Sequence, residues 1–95
     1  MAAKYSIAEL QSIVEPLTKK YGAERIYLFG SYARSDMNDR SDIDLRIDKG
    51  LALAGLLVDL EGALGMPVDL IPTTSLDPHF LESIHSDEVL LYEVS

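Results

Sequence analysis

A chain of 95 residues has room for one compact domain and one core, so a second catalytic domain or a large substrate must come from another molecule. Sixteen acidic against eight basic residues give a formal charge of −8, which repels phosphate backbones and argues against DNA or RNA as a direct partner. The hydrophobic share of 47% is spread over short periodic runs too brief to span a bilayer, and the absence of cysteine excludes disulfides and thiolate metal sites.

The opening residues Met1 to Ser6 lack the apolar core and cleavage site of a signal peptide, so a soluble, cytoplasmic, single domain over residues 1–95 is expected. Ser6 and Glu9 have the spacing of a capping box, and Ile7, Leu10, Ile13, Val14, Leu17 and Tyr21 recur at helical intervals. Pro16 lies inside that pattern and predicts a kink or a division into two segments, with Gly22 closing the helix. Arg25 to Phe29 is branched, aromatic and ends at Gly30, as a buried strand would. A short helix is expected from Ser31 to about Met37, with Ser31 near its cap.

From Asp42 to Asp48 the residues alternate strictly, with Ile43, Leu45 and Ile47 on one side and Asp42, Asp44, Arg46 and Asp48 on the other, which predicts a half-buried strand. Leu53, Leu56, Leu57, Leu60 and Leu64 mark a second amphipathic helix that ends at Gly65-Met66-Pro67. Val68 to Ile71 reads as a strand stopped by Pro72, Asp77 caps a last helix carrying Phe80, Leu81 and Ile84, and Val89 to Tyr92 is a terminal strand or edge. The sum is a small α/β (α+β) domain, a mixed sheet of three to four strands with helices packed on it.

Two features carry chemistry. Gly30-Ser31 sits between a strand and a helix, where backbone N–H groups and a hydroxyl favour an anion, although an ordinary turn has the same form. Asp42 and Asp44 project from one strand face about 6.6 Å apart and can share or bracket divalent cations, although a solvent-facing acidic strand would look alike. Asp69 sharpens the reading, because it lies among strand-forming apolar residues where an unpaired carboxylate is costly to bury unless it emerges at a sheet edge. Three carboxylates on neighbouring strands would hold two divalent ions for in-line phosphoryl transfer, with Asp69 also the candidate base.

These residues resemble the minimal nucleotidyltransferases of the DNA polymerase beta superfamily. Their layout is Gly-Ser, ten residues, Asp-x-Asp and a third Asp on a later strand, matched here by Gly30-Ser31, residues 32–41, Asp42-Ile43-Asp44 and Asp69. Leu28 to Arg34 looks like the family's first block, with Ser35 where a Gly often follows the Arg. The resemblance implies a polymerase-beta-like core in which Gly30 and Ser31 hold a triphosphate. Asp42, Asp44 and Asp69 would then be the catalytic carboxylates, binding two Mg²⁺ ions or Mn²⁺ in their place.

The resemblance further implies the antitoxin of a type VII toxin–antitoxin pair, in a hetero-oligomer with a HEPN ribonuclease toxin, transferring AMP from ATP to a tyrosine of that toxin. Alternatives are neutralisation by binding and occlusion alone, and transfer to a small hydroxylated molecule. Arg34 could reach a phosphate or could pair with Asp36 and Asp39 at the surface. His79 and His85 are too far apart on a helix to share a metal, and the five tyrosines read as core or rim aromatics. Gly55 and Gly62 would let another surface approach the second amphipathic helix closely.

Overall fold

The structure, a computed structural model, describes residues 5–34, 36, 41–50 and 52–94. The elements follow in the order α1 (Ile7–Lys20), β1 (Arg25–Phe29), α2 (Gly30–Arg34), β2 (Ile43–Asp48), α3 (Leu53–Leu64), β3 (Val68–Pro72), a 3₁₀ turn (Thr73–Ser75), α4 (Pro78–Ile84) and β4 (Val89–Glu93). Among the described residues the strands form one four-stranded sheet in the order β3-β2-β1-β4. β1 pairs antiparallel with both β2 and β4, while β2 and β3 run parallel across the α3 crossover.

The predicted capping box is formed: Glu9 N–H donates to Ser6 Oγ and Ser6 N–H donates to the Glu9 carboxylate. Pro16 does not divide α1, one of the two outcomes expected for it. It and Ser12, whose carbonyl loses its helical donor, both face solvent, so water can take that bond and the buried stripe of Leu10, Val14 and Thr18 stays unbroken. At the other end, Ala23 N–H donates to Thr18 O and Gly22 N–H to Lys19 O, the paired bonds of a Schellman motif, with Gly22 at φ +70°.

One sheet face carries Ile26, Leu28, Ile43, Leu45 and Ile47 and is sealed by Leu10 and Val14 of α1 and Leu56, Leu60 and Leu64 of α3. Gly55 does permit a close approach, but the surface that approaches is the chain's own Tyr21 ring, whose hydroxyl donates to Asp59 at 2.7 Å. Alternation along β2 throws Asp44, Arg46 and Asp48 onto the opposite, polar face. The short α4 lies over that face, joined to it by an edge-on contact of Phe80 with Phe29. No helix among the described residues is long and apolar enough to cross a membrane.

Candidate active site

The polar face ends, at the C-terminus of β1 and the starts of β2 and β3, in a junction of three elements. Phe29 pairs with Asp44 across β1 and β2, and Asp44 pairs with Asp69 across β2 and β3. Residues directly opposite on paired strands share a face, so the Asp44 and Asp69 side chains stand side by side, within hydrogen-bonding reach. Above them the chain turns from β1 into α2 at Gly30. Its φ of +75° favours glycine, and a methyl group built there would overlap Asp44 Oδ2. The Gly-Ser turn and the second carboxylate of the Asp-x-Asp pair are thus in direct contact.

Asp44 is half-buried, and burial is the first cause that pushes its carboxyl up from 3.8 to about 6. The hydrogen bond with Asp69 and the charges of Asp69 and Asp42 push the same way, while Arg34 opposes them. Asp42 precedes the first residue of β2 and is exposed. It influences Asp44 electrostatically, yet among the described residues no three acidic or histidine side chains converge closely enough to enclose an ion.

Asp69 is exposed, because β3 is an edge strand; the burial penalty inferred from its apolar neighbours does not apply, and what singles it out is Asp44 beside it. Ser31 lies in α2, and its hydroxyl has no partner among the described residues. Arg34 ends α2, pairs with Asp36 at 3.1 Å and remains half exposed. Ser35, Met37 and Asp39 lie outside the described residues.

The donor set fits a small hard cation. Mg²⁺ is ordinarily bound through one or two protein carboxylates, with phosphate oxygens and waters completing its shell, so the Asp44 and Asp69 pair with Asp42 nearby suffices without an all-protein cage. Their mutual repulsion, visible in the raised Asp44, is what a divalent charge would relieve.

A family model described as polymerase beta nucleotidyltransferase matches residues 11–95. The chain belongs to the polymerase beta nucleotidyltransferase family. It is 34% identical over 89 residues to a Methanocaldococcus jannaschii protein provisionally named a protein adenylyltransferase, covering 88% of this chain and 96% of that one. A solved structure provisionally described as a minimal nucleotidyltransferase superposes with a TM-score of 0.76 at 30% identity, over 92% of this chain and 97% of that one. A tri-AMPylated Shewanella oneidensis HEPN toxin in complex with its MNT antitoxin includes a chain that matches with a TM-score of 0.62 at 25% identity, over 88% of this chain and 73% of that one. This chain is a nucleotidyltransferase of the minimal kind, with the polymerase-beta-like fold expected from the Gly30 to Asp69 spacing.

Around its carboxylates this nucleotidyltransferase carries supports that sequence reasoning missed. Tyr32, buried on the inner side of α2, donates its hydroxyl to Met66 Sδ at 3.6 Å and ties the Gly-Ser turn to the loop before β3. Glu61 on α3 accepts from Val68 N–H at 3.0 Å and fixes the residue before Asp69. Farther along the polar face, Arg46 donates to both Glu88 oxygens at 2.7 Å, lies 3.8 Å over the Tyr27 ring and donates to Thr73 Oγ1. Strand alternation had placed Arg46 on the same side as Asp44; its partner Glu88, more than forty positions away, left no local signal.

Proposed function

We propose that this minimal nucleotidyltransferase is a protein adenylyltransferase antitoxin that moves AMP from ATP to a tyrosine hydroxyl of a HEPN-type toxin. The observation that carries the reading is the contact of Gly30 with Asp44 while Asp44 faces Asp69, which supports a turn for phosphate beside a carboxylate pair for its ion. The adenylyltransferase name of the archaeal relative and the AMPylated toxin in the structural neighbour support donor and acceptor.

In the proposed reaction, the Gly30-Ser31 turn holds the triphosphate through backbone N–H groups and the Ser31 hydroxyl, and Arg34 adds positive charge at its edge. Asp42, Asp44 and Asp69 would hold Mg²⁺, which when bound neutralises phosphate charge and lowers the pKa of the acceptor hydroxyl. The acceptor oxygen attacks the α-phosphorus in line, forming a new P–O bond as the bond to the pyrophosphate oxygen breaks. Asp69, exposed at the sheet edge, is open to an incoming protein and is the candidate to receive the hydroxyl proton. The acceptor tyrosine is supplied in trans by the toxin, which would form a hetero-oligomer with this chain.

The test is incubation with ATP, Mg²⁺ and a HEPN protein encoded beside this chain, followed by mass spectrometry. The expected product is the toxin with one or more AMP masses on tyrosine, lost by at least a hundredfold in Asp42→Asn and Asp44→Asn. Toxin left unmodified yet neutralised equally by wild type and both variants would instead establish occlusion.

A further inference from the structure

The Gly-Ser turn and the carboxylates engage phosphates and metal, and none of them reads a base. On the same face, however, the site continues into an aromatic side chain that the proposed chemistry leaves unused. Phe29 is buried and pairs with Asp44 across the strands, so its ring borders the carboxylate site. Against it stands Phe80 of α4, ring centroids 5.8 Å apart and planes at 81°. A perpendicular contact of this kind sets an edge of one ring on a face of the other, so Phe29 covers at most one face of Phe80. Phe80 is 41% exposed.

We propose that Phe80 is the platform on which the donor's nucleobase stacks, an inference that rests on the nucleotidyl-transfer reading. From Asp44, one strand pair and one ring contact lead to the exposed ring of Phe80, so a nucleotide with its phosphates on Gly30 and Asp44 can turn its base toward α4. The helix is held for this task at both ends. Asp77 caps it by accepting from His79 N–H at 2.7 Å, and just beyond it Glu88 is locked into Arg46 with only 6% of its side chain exposed. A preordered ring loses little entropy when a base lands on it. Because every base has a π-face, stacking favours the larger purines but separates adenine from guanine only weakly.

The chain contains no tryptophan, so Phe80→Trp introduces a single reporter at the platform. With Mg²⁺ present, a non-hydrolysable ATP analogue should quench that emission, whereas inorganic tripolyphosphate, which has no base, should not. Calorimetry should show Phe80→Ala binding the analogue about tenfold more weakly, with tripolyphosphate affinity unchanged and with Phe80→Trp restoring the analogue. Analogue affinity unchanged in Phe80→Ala overturns the platform alone. Equal losses for analogue and tripolyphosphate also overturn it, since they mark a distorted phosphate site. Absence of any nucleotide binding by the wild type would overturn the nucleotidyl-transfer reading itself, and the platform with it.

Discussion

At the scale of single residues, Asp44 is held in a setting that disfavours its own ionisation. Its carboxyl is raised from 3.8 to about 6, first by burial and then by Asp69. A group that holds its proton more tightly folded than unfolded stabilises the fold in full below about pH 4 and loses that contribution as the pH rises to about 6. The full shift would correspond to about 3 kcal/mol, and partial solvent screening reduces it to about 1 kcal/mol. In chelator-treated buffer, thermal melts of the wild type should therefore fall between pH 4 and 6 by several degrees more than those of Asp44→Asn. At pH 7.5 the variant should melt higher than the wild type while losing transfer activity. Parallel melting curves for the two proteins across that range would show that Asp44 is not held under this repulsion.

At the scale of elements, the local patterns decided what formed and long-range contacts decided where it went. The capping box of α1, the strict alternation of β2 and the leucine spacing of α3 each state their structure within a few residues. Pro16 leaves α1 undivided because whether a missing bond matters depends on which side of the helix meets water. Asp69 takes the sheet-edge alternative that its apolar neighbours left open, since no local signal says that β3 lies at the edge. That Gly30, Asp44 and Asp69 meet in one candidate site was legible from spacing, whereas the Phe29–Phe80 contact and the Arg46–Glu88 clamp depend on how α4 folds back. That clamp sits in a nearly closed setting, 12% exposed at Arg46 and 6% at Glu88. Arg46→Met, which leaves the Glu88 carboxylate buried without its bidentate partner, should cost about 3 kcal/mol in urea unfolding. Adding Glu88→Leu should recover most of that loss, because two apolar side chains of similar volume no longer strand a charge. A double variant as unstable as the single one would mean that the Tyr27 and Thr73 contacts, not the ion pair, hold this region.

At the scale of the whole molecule, the surplus of acidic residues bears on both partners. With a formal charge of −8, the chain resists an approaching triphosphate unless divalent ions arrive with it. Asp44 and Asp69 repel each other where they meet, so ion binding there acts on the folded state and hardly on the unfolded chain, where the two are separated. A ligand that binds only the folded form stabilises it by mass action, by about 1.4 kcal/mol at ten times its dissociation constant. For a domain of this size that corresponds to a rise in melting temperature of roughly 6–11 °C. Mg²⁺ should produce such a rise, and addition of a non-hydrolysable ATP analogue should increase it further by bringing phosphate oxygens to the same ion. Sodium chloride at matched ionic strength relieves only the diffuse surface charge and should give a smaller effect. Asp44→Asn should lose the Mg²⁺-specific part while keeping the response to salt. If the variant responds to Mg²⁺ as the wild type does, the ion is acting on the general acidic surface and the carboxylate pair is not its site.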